Sequence, residues 1–110
     1  MAAVTPISAS DLAGWLQDAS RPAPLLLDVR EPHEFAYCAI TGAQSMPMGT
    51  VPGQVDALDA EREIVCICHH GMRSMQVAMF LASRGFDKLY NLSGGVHAWA
   101  QQVDPAMPTY

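Results

Sequence analysis

From Ile64 to Ser74 the chain reads Ile64-Val65-Cys66-Ile67-Cys68-His69-His70-Gly71-Met72-Arg73-Ser74. The first five residues are apolar without interruption and rich in β-branched side chains. That pattern suits a strand covered on both faces, as in a parallel sheet. A short polar turn containing Gly71 follows. Arg73 to Arg84 then has helical spacing, with Val77, Ala78 and Leu81 on the inner face and Gly85 as a left-handed stop. A buried strand that passes through a tight loop into a helix is the first half of a parallel crossover unit.

The rest of the chain repeats this alternation. Ser8 can cap a helix running to about Ala19, with Leu12, Trp15, Leu16 and Ala19 expected on its apolar face. Leu25-Leu26-Leu27-Asp28-Val29 is a second buried strand. Glu31-Pro32-His33-Glu34-Phe35 reads as a short helix start, with Pro32 in the tolerated first turn. Between Phe35 and Val55 there is no Lys, Arg, Asp or Glu, and Gly42, Pro47, Gly49, Pro52 and Gly53 punctuate the segment. It reads as loop with one brief strand near Ala43 to Met46. Val51 to Ala60 carries a weak helical pattern. Lys88 to Leu92 forms a further strand, Val96 to Gln102 a last helix, and residues 102–110 a surface tail. Strands alternating with helices predict an α/β domain with a mainly parallel central sheet and helices on both faces.

Size and composition narrow the function classes. The 110 residues suit a single domain, with a core over about residues 7–101. Half of the residues are hydrophobic and 15% are charged, which excludes a disordered chain. The net charge of −5 argues against a nucleic-acid partner. No apolar run approaches the ~20 residues that span a bilayer, and Met1 to Pro6 lacks the basic and apolar regions of a leader. A cytoplasmic location without a membrane partner is the expectation. Three cysteines, Cys38, Cys66 and Cys68, do not make a disulfide framework and are read as reduced thiols.

Of the three, Cys68 has the informative position. Ligands of open α/β sheets bind beyond the carboxyl ends of strands, and Cys68 stands at such an end. The next helix starts near Arg73, so its free amides and positive dipole end face the loop. A loop that curls there can aim several N–H groups inward as an anion cradle. Helix starts and cations lower a thiol's pKa from about 8.5 to between about 3.5 and 7.5. Residues 64–86 hold Arg73 and Arg84 but no acid. A low-pKa nucleophile in a locally positive cup is the expectation, with Arg73 contacting an oxyanion. Cys66 and Cys38 read as core filler. Cys66, Cys68, His69 and His70 offer zinc-type ligands, but neighbouring histidines in a tight loop tend to point apart and no second ligand pair follows. No metal site is expected. His33 and His97 read as surface or packing residues.

Four segments, in this order, resemble the rhodanese family, specifically its small single-domain sulfurtransferases. They are Leu27 to Phe35, Gly42-Ala43, Val65 to Ser74 and Leu92 to Trp99, and the resemblance extends from about Ile7 to Gln101. It implies a parallel five-stranded sheet. It also implies that Cys68 carries sulfur as a persulfide, held by the amides of loop residues His69, His70, Gly71, Met72 and Arg73, with Ser74 completing the loop. Asp28 and Arg30 would support that loop through polar contacts; read by themselves, they equally suit a partly exposed ion pair. The implied donor is a small sulfur anion such as thiosulfate, or a persulfide, and the acceptor a thiol or cyanide. Neither metal nor organic cofactor is implied. A carrier that delivers persulfide to a sulfur-relay protein is the main alternative. Phosphatases and arsenate reductases of this family have a loop one residue longer than the four residues between Cys68 and Arg73. The chain departs from the family at Cys38-Ala39-Ile40-Thr41-Gly42-Ala43, where relatives often carry Gly-His-Ile-Pro-Gly-Ala.

Overall fold

The computed structural model describes residues 4–110. Its strands are β1 (Thr5–Ile7), β2 (Leu25–Asp28), β3 (Gln44–Ser45), β4 (Ile64–Ile67) and β5 (Leu89–Leu92). Its helices are α1 (Ala9–Gln17), α2 (Pro32–Tyr37), α3 (Val51–Gln54), α4 (Met72–Ser83) and α5 (Gly95–Gln102). All strand pairs are parallel, in the order β1-β5-β4-β2-β3. The expected α/β architecture is therefore present, with five strands.

Strand alternation divides the core into two layers. Leu26, Val65, Ile67 and Leu92 face α1 and α5, where Leu12, Trp15, Val96 and Trp99 pack. Leu27, Ile64, Cys66 and Leu89 face the opposite side, against Val51, Val55, Val77, Ala78 and Leu81. Ser8 caps α1 as expected, its hydroxyl accepting from the Asp11 N–H at 3.1 Å. The helix stops at Gln17, however, so Ala19 lies outside it, and Leu16 turns to solvent at 37% exposure. Its apolar face is Ala9, Leu12 and Trp15, narrower than the spacing suggested.

Two further expectations change. Thr5-Pro6-Ile7 is an edge strand paired with Tyr90-Asn91-Leu92. Three residues including a proline carry too little periodicity to be read as a strand from sequence. Val51 to Ala60 is not one helix. A 3-10 turn at Met48–Thr50, the four-residue α3 and a second 3-10 turn at Val55–Ala57 follow one another. Pro52 and Gly53 explain the fragmentation. At the departure from the family pattern, Gly42 takes φ +88° and Ala43 N–H donates to the Ile40 carbonyl at 3.0 Å, so a turn is retained.

This topology places the site. The crossover from β2 leads outward to β3, whereas that from β4 leads the other way to β5. The carboxyl ends of the adjacent strands β2 and β4 therefore flank a topological switch point, where loops diverge and leave a crevice. Cys68 follows β4 and Arg30 follows β2.

Candidate active site

The floor of the crevice is the loop between β4 and α4. Cys68 continues the line of β4 and is 1% exposed. Its neighbour by alternation, Cys66, is fully buried in the layer facing α4, and burial pushes its thiol up to about 12. Gly71 caps α4 at φ +108°, a left-handed conformation that glycine adopts freely. From there its N–H donates to Cys68 Sγ at 3.1 Å. Ser74, wholly buried in the first turn of α4, places Oγ 3.3 Å from the same sulfur. Burial alone would raise the Cys68 pKa. The Ser74 hydroxyl and the amides of Ser74, Gly71 and His70 outweigh it, and the thiol lies below its ordinary value.

Backbone contacts from α5 hold this curl. Val96 N–H donates to the Cys68 carbonyl at 2.9 Å and His97 N–H to the His69 carbonyl at 3.1 Å. With the carbonyls of 68 and 69 committed outward to α5, amides later in the loop are free to point at the sulfur. Gly95 makes the approach feasible: at φ +59°, a Cβ there would collide with the Cys68 and His69 carbonyl oxygens. Asn91, on β5 and 5% exposed, was not anticipated from sequence. Its Nδ2 donates to the Gly71 carbonyl at 3.1 Å, and its Oδ1 lies 2.5 Å from Ser74 Oγ. A serine hydroxyl has one hydrogen. Cys68 Sγ and Asn91 Oδ1 are both within reach of that one hydrogen and therefore compete for it.

The rim differs from expectation. Arg73 does not stand free beside the sulfur. Its guanidinium forks onto Glu34 of α2, with nitrogens 2.7 and 3.0 Å from the two carboxylate oxygens. The acid-free stretch from 64 to 86 meets an acid from another element, so the pocket is less positive than the linear sequence implied. Glu34 is held at about 2, chiefly by Arg73, while Glu34 raises the Arg73 pKa. Met72 opens α4 and is 78% exposed.

Asp28 and Arg30 are fully buried, not a partly exposed pair. Arg30 Nη2 lies 2.7 Å from Asp28 Oδ2 and 2.7 Å from the Cys38 carbonyl oxygen. Burial alone would lower the Arg30 pKa, but the hydrogen bonds that Arg30 donates to Asp28 and Tyr110 outweigh it and raise the value. Its side-chain hydrogen bonds reach α2, Cys38 and Tyr110 instead of the Cys68 loop. The chain end was read as a surface tail, yet Met107 is buried against the α1–α5 layer. Tyr110 accepts from Arg30 Nη1 and donates to Glu34 Oε2, both at 2.9 Å. Thus Asp28, Arg30, Tyr110, Glu34 and Arg73 form one continuous polar chain from the buried pair to the loop.

His69, His70 and His97 gather beside this chain. The His69 and His70 rings are 4.0 Å apart at 32°, so the adjacent histidines do not diverge. The His97 ring is 5.1 Å from that of His70. Desolvation, helped by the nearby His70 charge, lowers the His69 pKa.

A buried sulfur facing converging amides at the carboxyl end of a parallel sheet defines a cysteine-loop α/β protein. Comparison with known proteins gives the family. The rhodanese-like domain matches residues 8–102, and the chain belongs to that family. The thiosulfate sulfurtransferase GlpE of Tolumonas auensis is 33% identical over 99 residues, covering 90% of this chain and 91% of that protein. A sulfurtransferase of Allochromatium vinosum is 36% identical over 81 residues, 74% of this chain and 76% of its own length. The chain spans only 30% of a longer relative, the chloroplastic rhodanese-like/PpiC domain-containing protein 12 of Arabidopsis thaliana, at 42% identity over 89 residues. A rhodanese-like domain protein from Staphylococcus aureus has the same fold, with TM-score 0.82 and 28% identity over 97% of this chain and 99% of that one.

Proposed function

We propose that this protein is a sulfurtransferase in which Cys68 receives a sulfane sulfur from thiosulfate or a persulfide donor and passes it to a thiol or cyanide. The observation that carries this reading is the set of hydrogen bonds converging on Cys68 Sγ, which favours the thiolate. Membership of the rhodanese-like family and the names of its relatives support the reaction class.

In the first half-reaction the Cys68 thiolate attacks the outer sulfur of thiosulfate. A new S–S bond forms, the bond to the sulfonate sulfur breaks, and sulfite leaves with the electron pair. The terminal sulfur of the persulfide is an anion, and the loop amides and the Ser74 hydroxyl are the donors available to it. In the second half-reaction the acceptor attacks that outer sulfur and the Cys68 thiolate leaves. Two successive transfers through one covalent state give ping-pong kinetics. Arg73 is the cation at the mouth, and anion binding competes with Glu34 for its fork. The four-residue loop, one shorter than that of the family's phosphatases and arsenate reductases, supports a cup for a single sulfur over one for a tetrahedral oxyanion.

Incubation with thiosulfate followed by peptide-level mass spectrometry should place one added sulfur on Cys68 and none on Cys38 or Cys66. Cys68→Ser should abolish both adduct and turnover. An adduct confined to Cys38 or Cys66, or aryl-phosphate hydrolysis lost in Cys68→Ser, would overturn the assignment. Faster loading from a protein persulfide than from thiosulfate would identify the chain as a relay carrier.

A further inference from the structure

We propose that His69, His70 and His97 form a three-imidazole site for a borderline divalent transition-metal cation, with zinc the ion it fits best. The site uses the imidazoles of His69 and His70, whose backbone belongs to the sulfur-carrying loop, but neither Cys68 Sγ nor the Ser74 hydroxyl, and it stands whether or not Cys68 carries sulfur.

One ring nitrogen from each histidine lies within 4.8 Å of the others. Tetrahedral zinc with Zn–N bonds of about 2.0–2.1 Å needs nitrogens about 3.4 Å apart. The imidazoles therefore have to close by about 1.4 Å at most, a side-chain rotation on an unchanged backbone. That backbone is already fixed, because the His97 N–H bonds the His69 carbonyl and ties loop to helix. Tyr110 stacks on His69 at 3.9 Å and 11°, which walls one side of the cluster and holds its ring plane.

A second observation points to a ligand. His69 Nε2 and His97 Nδ1 are buried and find no hydrogen-bond partner among the described residues. Leaving such atoms unmatched is unfavourable, and coordination by a cation would satisfy a lone pair on both. Donor chemistry selects the class of ion. Three imidazoles without a carboxylate suit zinc, copper or nickel and not magnesium or calcium. Cys66 faces the opposite layer and Cys68 is engaged by its own donors, so the set is nitrogen-only. His70 is exposed, which leaves a path from solvent and a fourth position for water.

The test uses the whole chain without an affinity tag, freed of metal by chelation. Zn²⁺ is titrated by calorimetry and Co²⁺ by visible absorption. The expected result is one ion per chain, tetrahedral cobalt bands and no sulfur-to-metal charge-transfer band, unchanged in Cys68→Ser. His97→Ala and His70→Ala, each checked for fold by circular dichroism, should weaken Zn²⁺ binding by at least about tenfold. His70 is exposed, so that variant decides the matter if His97→Ala misfolds. No saturable binding, equal affinity in the folded histidine variants, or loss of binding in Cys68→Ser would overturn the proposal.

Discussion

The floor and the rim of the crevice are built on different principles. The floor is mainly backbone, completed by the buried Ser74 hydroxyl and Asn91: glycines at positive φ, amides turned toward one sulfur, and carbonyls tied to α5. Its parts lie within one continuous segment, with β5 and the start of α5 pressed against it. The rim is side chains: Arg73 on Glu34, Glu34 on Tyr110, Tyr110 on Arg30, and three histidines in contact. Its parts come from four separated places in the chain and, apart from the buried Arg30, are partly exposed. The floor should therefore set whether the sulfur ionises, and the rim what approaches it.

Substitutions can break that division. Gly95→Ala should act most strongly, because the added methyl meets two backbone oxygens in a conformation that L-residues rarely adopt. We expect a loss of about 3 kcal/mol or more by denaturant titration, with sulfur loading lost alongside. Normal stability and loading would show that α5 does not hold the loop. Ser74→Ala removes one donor to the thiolate. The pH midpoint of Cys68 alkylation should move up and sulfur loading near neutrality should slow by about tenfold, with KM for thiosulfate little changed. Asn91→Leu sharpens the same point, since it removes the competitor for the Ser74 proton; if the fold survives, the midpoint should move down.

Rim changes should be gentler. Glu34→Gln frees the Arg73 fork, so KM for thiosulfate should fall by roughly two- to fivefold while the alkylation midpoint stays put. Acid unfolding checks the same pair. The folded carboxyl ionises near 2 against 4.5 for an unperturbed one, so the unfolded chain takes up the proton first as pH falls. The pair's stabilisation, on the order of 1 kcal/mol after solvent screening, stands in full above about pH 4.5 and is lost between about pH 4.5 and 2. In Glu34→Gln this loss should disappear from the acid-unfolding curve. The smallest effect belongs to Tyr110→Phe, which removes one hydroxyl from the polar chain and should cost less than about 1 kcal/mol.

The same contrast explains what sequence could reveal. Ile64 to Cys68 announces a buried strand because both faces are apolar, and Gly71 with the following helix announces the curl. Those are local patterns, and they define the floor. Glu34 is invisible as a partner of Arg73 because 38 residues and two intervening strands separate them. The acid-free stretch around Cys68 suggested a positive pocket for the same reason: a linear charge count omits what packs across it. Asn91 sits in an otherwise ordinary strand, and its one signal was a polar residue among Leu89, Tyr90 and Leu92. Tyr110 lies beyond the last helix, after two prolines, where no periodicity indicates that the chain turns back. The edge strand Thr5–Ile7 was too short to carry a pattern.

The most direct test of the central claim, that loop hydrogen bonds ionise Cys68, is the pH dependence of its alkylation. Peptide-level mass spectrometry would follow Cys68 and Cys38 within the same molecules. The account predicts a Cys68 midpoint below that of an ordinary thiol, about 8.5, which rises when Ser74 becomes alanine. A midpoint at or above the ordinary value, unmoved by that substitution, would contradict it.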